Sequence, residues 1–123
     1  MDAWQMECCG KPFSVGSQVQ WTLAADPERD FLASVLGDQI ADTVTHWEEH
    51  HGGLPEDAVA TEGVVRSIRA VRCQYGRDPE HPNDALYPLK GSGTLTAVTS
   101  ADGWEADDGD AKFVGCLIEL EAA

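Results

Sequence analysis

Gly63-Val64-Val65-Arg66-Ser67-Ile68-Arg69-Ala70-Val71-Arg72-Cys73-Gln74-Tyr75 is the longest strand-like stretch of this 123-residue chain. Apolar and polar residues alternate along it, the period of a strand with one buried face. The alternation changes phase midway. Val64, Ile68 and Ala70 share one parity, whereas Val65, Val71, Cys73 and Tyr75 share the other. A phase switch inside one strand predicts a bulge or a sharp bend, a device by which a small sheet curls.

The flanking sequence reads the same way. Val19, Trp21 and Leu23 alternate with Gln18, Gln20 and Thr22, after an extended Pro12-Phe13 and a turn at Val15-Gly16-Ser17. Residues 3–8 read as an earlier strand. Downstream, Thr94–Thr99 and Phe113–Leu120 are strands, with Val114, Cys116, Ile118 and Leu120 in one phase and a hairpin-type turn at Asp102-Gly103. One helical interlude precedes the long strand. Asp26-Pro27-Glu28 has the residue types of a helix start, Phe31, Leu32, Val35 and Leu36 form a face, and Gly37 ends it. Asp38 is placed to cap a second helical piece carrying Ile40, Ala41, Val44 and Trp47, against the β-branched run Thr43-Val44-Thr45. Residues 51–57 and 76–93 are loop-like in composition.

Short strands joined by tight turns, without alternating helices, predict a mostly β domain. The expected architecture is a small antiparallel SH3-like or OB-like barrel with a helical insertion; the alternative is an open α+β sheet. A length of 123 residues predicts a single domain over 1–123, large enough to fold without a metal or disulfide.

Composition narrows the function classes. Asp and Glu number 22 against 8 Lys and Arg, a formal net charge of −14. Such a field repels phosphate backbones, so nucleic-acid binding is disfavoured and acidity for solubility is the simpler reading. A nucleic-acid mimic would need its carboxylates arranged as a stripe of phosphate-like spacing. No run approaches the roughly 18 apolar residues of a membrane-spanning helix, and Met1-Asp2-Ala3-Trp4 does not open like a secretory signal. The expected setting is therefore cytoplasmic, with Cys8, Cys9, Cys73 and Cys116 as thiols.

The residues with chemical potential each face a plainer explanation. His46-Trp47-Glu48-Glu49-His50 has the letters of an inverted zinc-peptidase motif, in which two histidines share a helix face. Nothing marks a third ligand, so a solvated helix end competes with it. Cys8, Cys9, His46 and His50 are the candidate zinc ligands, but no C-x-x-C spacing supports them. Cys8 or Cys9, beside Lys11, is also a candidate nucleophile. Cys73 and Cys116 keep phase with apolar neighbours, which places them in the core. The acids between Asp102 and Asp110 do not fit a calcium loop, because Trp104, Ala106 and Gly115 fall at ligand positions. Gly91-Ser92-Gly93-Thr94 lacks the lysine of a phosphate loop and reads as a turn. Half of the positive charge sits in Arg66, Arg69, Arg72 and Arg77. With aromatic neighbours these arginines can line an anion or partner site; otherwise they neutralise nearby carboxylates.

Trp4-Gln5-Met6, Cys8-Cys9-Gly10, Pro12-Phe13, Val15-Gly16 and Trp21-Thr22-Leu23 resemble an uncharacterised family of small, acidic actinobacterial proteins, a domain of unknown function. The resemblance continues through Ile68-Arg69-Ala70-Val71, Leu86-Tyr87-Pro88, Gly91-Ser92-Gly93 and Phe113-Val114-Gly115. It implies a source and a cytoplasmic setting, and brings no activity or functional residue with it. The leading expectation is a non-enzymatic binding module for a protein or small anionic ligand, with Arg66, Arg69, Arg72, Tyr75 and Trp21 as the ligand-binding set. No cofactor, nucleic acid or membrane is expected, and a homodimer is possible. The alternative is a metal- or thiol-dependent activity at Cys8, Cys9, His46 and His50, in which zinc is the candidate cofactor.

Overall fold

The computed structural model describes residues 12–24, 29–48, 60–77 and 86–122. The expectations for residues 3–8, Asp26-Pro27-Glu28 and 51–57 lie outside them. Its strands are β1 (Phe13–Ser14), β2 (Gln18–Ala24), β3 (Trp47–Glu48), β4 (Ala60–Cys73), β5 (Tyr75–Gly76), β6 (Tyr87–Pro88), β7 (Thr94–Val98), β8 (Ser100–Ala101) and β9 (Lys112–Ala122). Helices α1 (Arg29–Leu36) and α2 (Asp38–Ala41) lie between β2 and β3.

The long strand read from the sequence organises everything else. β4 pairs antiparallel with β9 along one edge, from Gly63 to Cys73. Its other edge is shared by two strands in tandem: β2 takes Ala60–Val64 and β7 takes Ile68–Arg72. The expected phase switch falls between Val65 and Ser67, where Arg66 is the extra residue opposite β9. At that same point β1 and β8 leave β4 and pair with each other, Phe13 opposite Ala101. Val65 still bonds the departing turn, receiving a hydrogen bond from Gly16 N–H (2.7 Å) and donating one to Ser17 O (3.0 Å). Gly16, at φ +92°, supplies the left-handed position this turn requires. The bulge thus divides β4 into two pairing zones and creates the branch.

A second shift lies between Val71 and Arg72, where Val114 is the extra residue on β9. It corrects the expected phase of β9. Phe113, rather than Val114, joins Cys116, Ile118 and Leu120 against the core. That core holds Phe13, Val65, Ile68, Ala101 and Cys116, with Val19, Trp21 and Val98 packed on it. Gly63 is required by close approach, since a Cβ there would stand 2.8 Å from Glu121 O and 2.9 Å from Leu120 Cγ.

Helix α1 ends as expected at Gly37, whose N–H bonds Ala33 O (3.0 Å) at φ +91°. Its last turn docks on the Gly91-Ser92-Gly93 turn. Gly91 N–H donates to Ser34 O and Gly93 N–H to Val35 O, each at 2.7 Å. Helix α2 is shorter than its apolar spacing predicted. Thr43 N–H (3.0 Å) and Thr43 Oγ1 (2.6 Å) both donate to Ile40 O, closing the helix just before the β-branched run. Trp47 and Glu48 then form β3 on the outer edge of β2 rather than a second helical turn. Asp102-Gly103 is not a hairpin tip either, because β8 pairs with β1 and β9 with β4.

The described part is mostly β. Its sheets are open: β3 and β9 are not hydrogen-bonded to each other. No helix among the described residues is long and apolar enough to cross a membrane.

Candidate functional site

The fold disperses most of the residues expected to act together. Arg66, the bulge residue, is exposed and ion-paired with Glu121. Arg72 donates from Nε to Ala106 O (3.0 Å) and lies 6.0 Å from the Phe113 ring centroid. Tyr75 sits on β5, 40% exposed, with its hydroxyl against the Cys73 thiol. Arg77 is exposed beyond β5. None of these four reaches the cleft that runs beside β9.

Trp21 and Arg69 do. The cleft has a volume of about 570 Å³ and is walled by Thr43–His46 on one side and Cys116–Leu120 of β9 on the other. Trp21 and Leu23 of β2 and Ser67 and Arg69 of β4 complete it. Consecutive strand residues point to opposite faces, so a cleft touching five in a row must follow the edge of β9. Trp21 is held edge-on to Phe13, centroids 5.0 Å apart and planes at 77°, and this contact anchors the cleft to the core. Arg69 is half-buried, and no hydrogen bond or ion pair forms to it among the described residues. Twelve of the chain's 22 Asp and Glu lie in the described residues, and none of them pairs with Arg69. Neutralisation by a neighbouring acid accounts for Arg66 and Arg29, which pair with Glu121 and with Asp38 and Asp42. Among the described residues it does not account for Arg69.

Ser67, Glu119 and the segment Thr43–Thr45 were not singled out by their residue types. Ser67 and Arg69 do share a parity of β4, the signal that one face of the strand carries both. His46 lines the cleft, exposed, with Nδ1 2.9 Å from Thr45 Oγ1. The strand at Trp47–Glu48 removes the helical spacing on which the His46/His50 zinc motif depends. Cys8, Cys9 and His50 lie outside the described residues.

The other reactive types have structural work. Cys73 and Cys116 are thiols buried in the core, as their phase predicted. Burial raises the Cys73 thiol, and burial followed by the charge of Glu105 pushes Cys116 up to about 11. Both are neutral thiols at physiological pH. In a Cys8→Ser/Cys9→Ser background, a thiol-reactive dye at pH 8 should label the folded protein negligibly and two cysteines after denaturation. The folded state holds the Cys116 proton to higher pH than the unfolded chain. Stability should therefore fall as pH climbs from about 9 towards about 11. Denaturation midpoints across that window check the sign.

The acidic loop mostly caps its own backbone, although Glu105 Oε2 is buried without a hydrogen-bond partner among the described residues. Asp102 Oδ1 accepts from Trp104 N–H (2.8 Å), Glu105 Oε1 from Asp102 N–H (3.0 Å) and Asp107 Oδ1 from Phe113 N–H (2.8 Å). The Phe113 bond holds the Asp107 carboxyl below its ordinary value. No group of three or more His, Cys, Asp or Glu side chains able to hold a metal occurs among the described residues.

The model of DUF6578, a family of unknown function, matches residues 1–122. The chain belongs to that family. No curated protein and no solved structure matches it. DUF6578 thus fixes the kinship of nearly the whole chain and assigns no chemistry, so the cleft carries the functional argument.

Proposed function

We propose that this DUF6578 chain is a single-domain, non-enzymatic binding module whose β9-edge cleft takes a small anionic ligand. Arg69 carries the reading. A half-buried arginine without a carboxylate partner among the described residues offers a planar set of donors, and a carboxylate or phosphate oxygen pair matches that geometry. Leu117, registered opposite Arg69 on the same face, supplies apolar surface beside it, and a volume of about 570 Å³ suits a small molecule. β3 and β9 are then the unjoined edges of a half-closed barrel of SH3-like or OB-like kind, with Thr43–His46 standing in the gap. A binding role also suits the described thiols, which are buried and protonated rather than poised to react. The chain's acidity argues against a nucleic-acid ligand, and the proposed setting is cytoplasmic.

Arg69→Gln tests the assignment, with Arg66→Gln as the control because Arg66 already has Glu121. Calorimetric titration with 3-phenylpropionate, a carboxylate on an apolar body, should show binding to the wild-type chain and to Arg66→Gln. Arg69→Gln should bind about tenfold more weakly or worse, the effect of losing a charge-assisted hydrogen bond. Equal affinity in Arg69→Gln would place the anion elsewhere.

A further inference from the structure

The cleft holds a second, opposite charge. Arg69 registers with Leu117 and Ser67 with Glu119, so Arg69 and Glu119 are diagonal neighbours on one face of the β4–β9 pair. Both line the cleft. Opposite charges at this spacing are within reach of each other, yet no ion pair joins them, and Glu119 has no other hydrogen-bond or ion-pair partner among the described residues. A simple anion bound to Arg69 would face the Glu119 carboxylate uncompensated. A ligand with a carboxylate for Arg69 and an ammonium for Glu119 answers both charges at once. Leu117, registered opposite Arg69 on that face, gives the pair an apolar neighbour, and Thr43–His46 forms the facing wall.

We infer that the ligand of this cleft is a zwitterion of the α-amino-acid class, a free amino acid or dipeptide with an apolar side chain. The inference rests on the anion site proposed at Arg69 and narrows it. In the bound state the guanidinium of Arg69 donates to the ligand carboxylate, and Glu119 accepts from the ligand ammonium. The side chain lies along Leu117 and Val44. The adjoining Ser67 hydroxyl offers one further polar contact between the two charges. No covalent step is involved. The selectivity follows from complementary charge: a free acid lacks the partner for Glu119, and an amine lacks the partner for Arg69.

Calorimetric titration of the full chain with leucine, phenylalanine, 3-phenylpropionate and phenethylamine tests it. The expected order is phenylalanine about tenfold tighter than 3-phenylpropionate, with phenethylamine not measurably bound. Glu119→Gln should bring phenylalanine down to the level of 3-phenylpropionate without weakening the latter, and Arg69→Gln should weaken both. Equal binding of phenylalanine and 3-phenylpropionate, unchanged by Glu119→Gln, would overturn the zwitterion and leave the anion site standing. Binding of none of the four, or of phenethylamine alone, would overturn both. Thermal unfolding of each variant separates lost binding from lost fold, since Glu119 is exposed and makes no ion pair among the described residues.

Discussion

Replacing Gly93 with alanine is expected to cost the fold on the order of 3 kcal/mol, lowering the thermal midpoint by roughly 10 °C. The backbone of Gly93 is pressed against the end of α1. An added Cβ would collide with Val35 O and stand 2.8 Å from Val35 C and 2.7 Å from Leu36 Cδ2. Two of those three atoms belong to backbone that cannot swing aside. The helix end must therefore retreat, breaking the bonds from Gly93 N–H to Val35 O and from Gly91 N–H to Ser34 O. It would also loosen Val35, which is 1% exposed. Gly91→Ala is an instructive comparison. Its Cβ would meet nothing within 4 Å, and only the left-handed φ of +73° opposes it, so its cost should be about 1 kcal/mol. Urea denaturation of the two variants separates collision from backbone strain. A Gly93→Ala protein as stable as the parent would mean that α1 does not dock on this turn.

Ile68→Ala should destabilise by about 2–5 kcal/mol, the range for emptying a buried aliphatic site. Ile68 is 1% exposed and registers with Val98 on one side and Ile118 on the other, so its side chain bridges β7 and β9 through β4. Neither neighbour can collapse into the void without disturbing the ladder that holds it. Arg66→Ala, two positions away, should move stability by less than about 1 kcal/mol, since it removes only an exposed ion pair. The contrast tests the bulge itself. Were β4 a regular strand, Arg66 and Ile68 would lie on the same face and both be buried or both exposed. Denaturation curves of the two variants with similar midpoints would contradict the register.

The bulge was legible because Val65 and Ile68 are both strongly apolar and three residues apart, a spacing that no regular strand can bury on one face. Cys73 and Cys116 were legible for the same reason of phase. The bulge at Val114 was not, because Phe113 and Val114 are both apolar and either fits a buried position. Nor does local pattern reveal that β2 and β7 share one edge of β4, since that pairing joins segments far apart in sequence. The stretch Thr43–His46 carried conflicting signals: apolar spacing favoured helix, and β-branching favoured extension. The side-chain bond from Thr43 to Ile40 O decided it. The cleft was half visible. Arg69 and Trp21 were named from residue type, but that Arg69 alone of the cluster lines the cleft depends on where the bulges aim each arginine. Glu119 looked like one acid among 22.

The most direct measurement on the cleft is an amide and side-chain chemical-shift map of the isotope-labelled chain titrated with 3-phenylpropionate. The expected result is a contiguous set of shifts at Thr43–His46, the Arg69 Nε–H and Cys116–Leu120. Shifts confined to Arg66, Arg72, Tyr75 or the exposed Trp104, with that set silent, would contradict the assignment of the cleft as the binding site.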